Sequence, residues 1–177
     1  MNYERYENII NSLQTGIVND WELIAKEISD FPNGCDGFIG RAWIVNAIDS
    51  GSLSLVEWML SKNINLRFVD NEGYSVLHSC IDRELPDKYK IMQLLINNGA
   101  DINIGAELGQ MALEGWTPLH MAAHRNDIEA IKILLQNGAD TTIETIIDHY
   151  CNAEQTALRA GSNEAAELIK SYNKPKK

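Results

Sequence analysis

Residues 116–140 carry the sequence features of two short helices that are joined by a tight turn and closed by a glycine. Thr117 can cap the first helix, because its hydroxyl accepts a hydrogen bond from a backbone N–H of the first turn. Pro118 follows at the first helical position, where a missing N–H has no cost. His120 follows the cap by three residues, at the position where a capping box usually has Glu or Gln. Gly138 can adopt the left-handed conformation that ends the second helix. The block therefore predicts a helix–turn–helix unit with a defined start and stop.

The same order of residue types recurs along the chain. Residues 74–80 repeat the first helix with Ser75 as its cap, and residues 94–103 repeat the second helix and its glycine. A weaker copy begins at Ala42, and a shorter one begins near Thr156. These units resemble the ankyrin repeat, which has a T-P-L-H-x-A signature and a period of about 33 residues.

The resemblance implies an all-α solenoid of about four to five helix pairs, with short strands at most, in a single domain over residues 1–177. Residues 42–172 carry the repeat pattern. In residues 1–41 the spacing of apolar side chains fits two amphipathic helices, so this segment is predicted to be a degenerate N-terminal capping unit. Residues 173–177 form a short basic tail. Three tryptophans are expected in the core: Trp21, Trp43 and Trp58.

Charge and composition restrict the setting and the partner. The net charge of −10 disfavours nucleic-acid binding, which depends on neutralising phosphates, and favours a basic protein partner. The first residues lack the pattern of a signal peptide, and no apolar run is long enough to span a membrane. Three cysteines without staple-like or zinc-ligand spacing suit a reducing compartment. We therefore expect a cytoplasmic protein that contacts neither membranes nor nucleic acids.

No motif indicates a catalytic or metal-binding site. His120 and His124 stand four residues apart, as in a two-histidine zinc site, but the glutamate of a zincin is missing and His120 has a capping role. His149 and Cys151 are separated by one residue in a predicted loop, and residues so close in a loop rarely form a catalytic pair of base and thiol. Neither a phosphate-binding glycine loop nor a G-x-S-x-G elbow is present. The sequence predicts a non-catalytic protein without a metal or cofactor.

The loops between successive helix pairs, here called fingers, depart from the regular repeat. Asp101 to Thr117 and Asp140 to Thr156 each span 16 positions, whereas a regular finger takes about ten. Insertions in such folds lie on one face, which is often the binding face. The alternatives are that the two fingers pack on each other or are disordered. Partner-binding candidates in the fingers are Glu107, Leu108, Met111, Leu113, Ile147 and Tyr150.

Further candidates lie outside the insertions. Tyr74 and Trp116 directly precede a helix cap, a variable position of the ankyrin repeat that often contacts partners, and large rings there can be interface anchors. The alternative is that each ring covers a neighbouring finger. The repeat pattern also places candidates on the concave face: Asn46, Asp49, Ser50, Ser79, Asp82, Arg83, Met121, His124 and Arg125. The connection at residues 83–88 is charged and is interpreted as a plain surface loop.

Three functions fit these features. The first is a protein-binding module, with a neutralising role like that of an inhibitor or immunity protein as its preferred form, because a small, acidic ankyrin protein can cover a basic toxin or enzyme. The second is a scaffold or regulatory assembly protein. An enzyme with a site built from the fingers is the least favoured of the three, and a fold alone does not decide among them.

Overall fold

Helices follow one another in chain order and pack in pairs. The computed structural model describes residues 3–14, 18–36, 40–50, 52–70, 73–84, 87–105, 115–145 and 150–173. Over these residues there are ten α-helices and no strand, apart from one isolated bridge between Cys35 and Ala42. The all-α solenoid predicted from the sequence is confirmed. The helices are α1 (Tyr3–Gln14), α2 (Val18–Glu27), α3 (Trp43–Asp49), α4 (Leu53–Leu60), α5 (Val76–Asp82), α6 (Lys88–Asn97), α7 (Pro118–His124), α8 (Ile128–Gln136), α9 (Ala153–Ala160) and α10 (Asn163–Tyr172).

Two layers of helices build the solenoid. The first helices of successive pairs, α3, α5, α7 and α9, pack on one another in sequence order, and α4, α6, α8 and α10 do the same. Each pair also packs internally. The buried apolar side chains of both layers form one continuous cluster, as expected where each repeat buries its surface against its neighbours.

Three first-layer helices begin with the same capping device. In α7 the ring Nδ1 of His120 lies 2.8 Å from the Thr117 hydroxyl and accepts the Thr117 backbone N–H at 3.2 Å. In α5 the pair Ser75 and His78 shows the same two distances. The corresponding box of α9 uses the side chains of Asn152 and Gln155, which exchange hydrogen bonds with each other's backbone N–H at 3.0 Å. The capping role predicted for the motif is thus present in α5 and α7.

The last copy does not begin near Thr156, because the capping box of Asn152 and Gln155 starts α9 four residues earlier. The second finger therefore spans 12 positions from Asp140 to Asn152, which exceeds a regular finger by about two residues and not by six.

The capping histidines also join neighbouring repeats. The Nε2 of His78 lies 2.8 Å from the backbone oxygen of Trp116, and that of His120 lies 3.0 Å from the oxygen of Cys151. Because each Nδ1 accepts a backbone N–H, the proton of the neutral ring is on Nε2, which donates to the next repeat. Burial lowers the pKa of His78 to about 4, and burial also lowers the pKa of His120. Both rings are therefore neutral structural connectors at pH 7.

An aromatic cluster attaches the N-terminal helix pair to the repeats. Trp21 and Trp43 are completely buried, which confirms their predicted core positions, whereas Trp58 is half-buried and packs at the edge of the core. Between ring centroids, Phe31 lies 5.4 Å from Trp43 and 5.7 Å from Trp58. The centroids of Trp21 and Trp58 are 5.8 Å apart. Glu22 accepts the Trp58 indole N–H at 3.1 Å. The first helix pair is thus packed on the repeats through an apolar contact.

Candidate functional site

The last turns of the first-layer helices place charged side chains at equivalent positions. Counting from the caps Ala42, Ser75, Thr117 and Asn152, the seventh and eighth following residues lie in the same register of each repeat. We call these eight positions the charge row. Its seventh-position members are Asp49, Asp82, His124 and Arg159, and its eighth-position members are Ser50, Arg83, Arg125 and Ala160.

The first two steps of the charge row are diagonal ion pairs between neighbouring repeats. Arg83 Nε lies 3.0 Å from Asp49 Oδ1, and Asp49 also pairs with Arg41 at 2.5 Å. In the next step, Arg125 pairs with Asp82. These side chains are partly exposed, so each pair contributes modestly to stability. Their main effect is to present alternating acidic and basic groups along one surface.

The third step of the charge row differs from the first two. His124 stands where the two preceding repeats have Asp49 and Asp82, and Ala160 stands where the two preceding repeats have Arg83 and Arg125. The His124 ring packs on Trp116, with 5.2 Å between ring centroids. A cleft of about 220 Å³ opens here, lined by Trp116, His124, Cys151, Thr156, Arg159 and Ala160. We call it the α7–α9 cleft.

The two rings predicted as anchors are largely covered. Trp116 is 7% exposed, and the half-buried Tyr74 ring stacks on His78 at 5.9 Å. Met121, expected on the concave face, is 3% exposed because the fourth position after the cap faces the packed helices. The structure thus places Met121 in the core. Asn46 and Ser79, also expected there, are buried as well. Of the other concave candidates, His124 and Arg125 are exposed, and the partly exposed ones are Asp49, Ser50, Asp82 and Arg83.

Each long finger leaves and re-enters the solenoid at nearly the same point. In the finger before α7, the two ends are Gly105 and Gly115, and their backbones are in van der Waals contact: a Cβ built on Gly105 would lie 3.4 Å from the Cα of Gly115. In the next finger, Thr145 N–H donates to Cys151 O at 2.9 Å and Cys151 N–H donates to the Thr145 hydroxyl at 3.2 Å. Closely spaced ends are typical of Ω-loops.

The stems of the two long fingers are also joined to each other. The backbone N–H of Asp140 donates to the Asn103 side-chain oxygen at 2.9 Å. Tyr150, at the end of the second finger, is 67% exposed and has φ 55°. The remaining finger candidates lie outside the described residues: Glu107, Leu108, Met111, Leu113 and Ile147.

A buried ion pair lies beside the charge row, at the helix ends remote from the fingers, where only a surface loop was expected from the sequence. Lys88 is 6% exposed and its Nζ lies 2.8 Å from Asp127 Oδ2. Asp127 also accepts the Tyr89 hydroxyl at 3.0 Å and caps α8 through the Ala130 N–H at 3.1 Å. Burial and the hydrogen bond to Asp127 raise the pKa of Tyr89 to about 12. The interpretation of residues 83–88 as a plain surface loop is therefore wrong for Lys88.

Three side chains that the sequence offered for catalysis or metal binding are engaged in the fold. His120 is committed to the capping box, the His124 ring packs on Trp116, and Cys151 is buried. Burial raises the pKa of the Cys80 thiol to about 12, so this thiol is protonated at pH 7. Among the described residues, no group of three or more His, Cys, Asp or Glu side chains could hold a metal ion. No described helix is both long and apolar enough to cross a membrane.

Comparison with known protein families decides the assignment. A model of three consecutive ankyrin repeats matches residues 18–106, which is half of the chain, and a single ankyrin-repeat model matches residues 114–146. The chain belongs to the ankyrin-repeat family. The match begins at the first residue of α2, upstream of the Ala42 at which the sequence motif becomes recognisable. Ankyrin repeats are protein–protein interaction modules, so the family assigns this chain to protein binding.

Similar proteins share the repeat segment with this chain. BCL-6 corepressor-like protein 1 of Homo sapiens is 33% identical over 104 residues, which is 59% of this chain and 5% of that protein. A putative ankyrin repeat protein of Rickettsia felis is 36% identical over 101 residues, which is 57% of this chain and 31% of that protein. The RelA-associated inhibitor of Mus musculus is 30% identical over 105 residues, or 59% of this chain and 12% of that protein. The aligned region thus spans a minor part of each relative.

Proposed function

We propose that this ankyrin-repeat protein binds a basic protein partner through the two fingers before α7 and α9 and through the charge row, and thereby neutralises or inhibits that partner. It acts without catalysis, metal or cofactor, in the cytoplasm, and without contacting nucleic acid or membrane. The observation that carries the proposal is that the stems of the two fingers are joined to each other, in segments whose Asp and Glu side chains are not offset by any lysine or arginine. Inhibition also occurs in the name of one relative, the RelA-associated inhibitor.

Charge supports a basic partner. Residues 98–117 and 137–152 contain no lysine or arginine, and their acidic residues are Asp101, Glu107, Glu114, Asp140, Glu144 and Asp148. A surface of one sign steers an oppositely charged partner and raises its association rate. Because this steering is screened by salt, we expect the association rate to fall as ionic strength rises.

Stem geometry supports a recognition role for the two fingers. The contacts at Gly105, Gly115, Thr145 and Cys151 fix where each finger leaves the solenoid, and the Asn103–Asp140 hydrogen bond keeps the two stems adjacent. A rigid scaffold that positions variable loops is a common arrangement for binding proteins. Both fingers can therefore contact the same partner.

Replacing residues 106–114 and 146–149 with glycine–serine segments of equal length is expected to weaken partner binding at least 100-fold, or about 2.7 kcal/mol. Equal length keeps the stem contacts, so the thermal unfolding midpoint should change little. The partner is first recovered by affinity capture from source cells at low and high salt. Its dissociation constant for each variant is then measured by calorimetry.

The matched control removes the same number of acidic groups elsewhere. The finger replacement eliminates Glu107, Glu114 and Asp148, so the control carries Glu4→Gln, Glu27→Gln and Glu57→Gln on exposed helix positions. We expect the control to bind within about threefold of the unmodified chain. Equal binding by the finger variant would show that the fingers are structural and would refute this site. If the bound partner keeps its own activity, a scaffold role replaces neutralisation.

Tyr150 is the described finger residue with the most exposed ring, and Tyr150→Ala is expected to cost about 2 kcal/mol of binding free energy. Alanine and tyrosine carry a similar backbone penalty at positive φ, so the stability of the fold should be nearly unchanged. Tyr3→Ala is the control, because Tyr3 is 60% exposed on α1, in the first helix pair. Calorimetric titration should separate the two variants, and equal effects would exclude Tyr150 as an anchor.

A further inference from the structure

A cavity opens between the second and third repeats, beside the charge row. Its volume of about 550 Å³ lies within the roughly 300–1,000 Å³ of sites that enclose ligands. The connection that contributes Glu84, from Arg83 to the cap Asp87 of α6, is two residues longer than the connection from Arg125 to the cap Asp127 of α8. We call this space the α6–α8 cavity, and its lining residues include Ile81, Glu84, Lys88, Tyr89, Ile128 and Glu129.

Three basic side chains line the α6–α8 cavity, and each forms an ion pair with a carboxylate of the same surface. The pairs are Lys88 with Asp127 at 2.8 Å, Lys132 with Glu129 at 3.4 Å, and Arg125 with Asp82. An anionic ligand would compete with these carboxylates for the same cations. The pairing therefore disfavours an anion as the ligand of this cavity.

Glu84 adds a carboxylate that has no such close cation among the described residues. Its side chain is 95% exposed, and its ion pair with Lys88 Nζ spans 3.9 Å. Together with the three paired carboxylates, Glu84 gives the cavity and its rim four acidic groups against three basic ones. The cavity thus has an excess of one negative charge.

Tyr89 places an aromatic ring beside these carboxylates. The side chain is 39% exposed, and Lys88 Nζ lies 5.2 Å from the centre of the ring. Burial, the hydrogen bond to Asp127 and the nearby charges of Glu84 and Glu129 raise the pKa of Tyr89 to about 12, so acidic groups dominate the electrostatics around this ring. A cation is attracted both by an aromatic face and by carboxylates.

We propose that the α6–α8 cavity receives an arginine side chain of the basic protein partner. The guanidinium can bind the Glu84 carboxylate through two parallel hydrogen bonds and can stack on the Tyr89 ring. The methylene groups of the arginine can pack on Ile81 and Ile128, which also line the cavity. Lysine fits less well, because its ammonium is a point charge without a planar face.

This arginine subsite rests on the proposed function and deepens it. Arg125 belongs both to the charge row and to the lining of the cavity, so the cavity continues the proposed binding surface. Helix α7 separates the cavity from the fingers and has 7 residues, which corresponds to roughly 10 Å along its axis. A single partner can therefore contact the fingers and place one arginine in the cavity.

The test uses a random library of twelve-residue peptides, selected on the unmodified chain and then measured singly by fluorescence anisotropy. Each arginine of the enriched peptides is replaced in turn with citrulline, which has nearly the same shape but no charge. The affinities are compared among the unmodified chain, the variant Glu84→Gln/Glu129→Gln and the control Glu164→Gln/Glu167→Gln. Thermal unfolding of every chain verifies that the fold is intact.

The control is matched to the variant in position and in pairing. Glu164 has the same place in the first turn of α10 that Glu129 has in α8. Glu167 lies 3.9 Å from a lysine, as Glu84 does. Both double changes therefore remove two exposed carboxylates at equivalent cost to the helices.

We expect a group of the enriched peptides to share an arginine whose change to citrulline weakens binding at least tenfold on the unmodified chain and on the control. On Glu84→Gln/Glu129→Gln the same change should alter the affinity less than twofold, because the carboxylates that bind the guanidinium are absent.

The outcomes separate the subsite from the general proposal. If no arginine is enriched, or if the citrulline change has the same effect on all three chains, the arginine subsite is refuted. Such a result together with loss of captured-partner binding in the glycine–serine finger variant would leave the fingers as the binding site. An arginine effect that depends on Glu84 and Glu129, together with normal partner binding by the finger variant, would refute the finger surface and keep the subsite.

Discussion

The change Lys88→Met is expected to lower the free energy of unfolding by about 3 kcal/mol, as breaking one side of a buried ion pair does. Lys88 and Asp127 have side chains only 7% and 8% exposed and lie 2.8 Å apart. Methionine fills a similar volume, so the main consequence is that the Asp127 carboxylate remains buried without its cation. Urea-induced unfolding at pH 7 measures the loss.

Two further variants separate charge burial from other effects. In Lys88→Met/Asp127→Asn, the amide oxygen can still cap α8 and accept the Tyr89 hydroxyl, so most of the lost stability should return. Lys90→Met removes an ion pair with Asp87 in which the lysine side chain is 70% exposed. This change should lower the free energy of unfolding by less than about 1 kcal/mol. A Lys88→Met variant no less stable than Lys90→Met would contradict the buried-pair argument.

Acidification is expected to destabilise the protein through His78. Its pKa is about 4 in the folded chain and about 6.5 in an unfolded chain, so between these values the unfolded state binds more protons. The stabilisation is therefore complete above pH 6.5 and is lost as the pH falls through the folded pKa near 4. The shift in the pKa of His78 corresponds to about 3 kcal/mol of free energy of unfolding. The pKa of His120 is also lowered in the folded chain, so His120 adds an effect of the same sign.

The repeat itself offers a control that does not titrate. Gln155 occupies the capping position of α9 that His78 has in α5, so His78→Gln can keep the capping acceptor for the Ser75 N–H. Free energies of unfolding are measured for both chains from pH 7 to pH 4.5. The original chain should lose up to about 1.4 kcal/mol per pH unit more than the variant below pH 6. Parallel pH curves would show that His78 does not couple protonation to folding.

Local sequence chemistry was sufficient to predict the helix pairs and the caps of α5 and α7, whereas α9 begins at Asn152 and not near the predicted Thr156. Thr117, Pro118 and Gly138 act through backbone conformation and hydrogen bonds to residues only a few positions away. The spacing of apolar side chains placed Trp21, Trp43 and Trp58 in the core, because the periodicity of a helix determines which face is buried. The repeated pattern then implied that the helix pairs stack in order.

The candidate site was predicted less completely. Finger length revealed the insertion before α7 but overestimated the one before α9, because the cap of α9 is Asn152 and not Thr156. The sequence also could not show that Thr145 and Cys151 close one stem or that Asn103 joins it to the other. Trp116 was chosen as an anchor because of its size and position, whereas the structure covers most of its ring. Met121 was assigned to the surface by position alone and lies in the core.

The sequence by itself determined the repeat, its period, its capping residues and its acidic charge, because these depend on residues that are near one another along the chain. The stacking of repeats alone decided which distant side chains meet: Lys88 with Asp127, His78 with the Trp116 carbonyl, and Arg83 with Asp49. The α7–α9 cleft also belongs to this second group. Its opening depends on a small residue, Ala160, standing in register with the arginines of the preceding repeats, and register is a property of the packed helices.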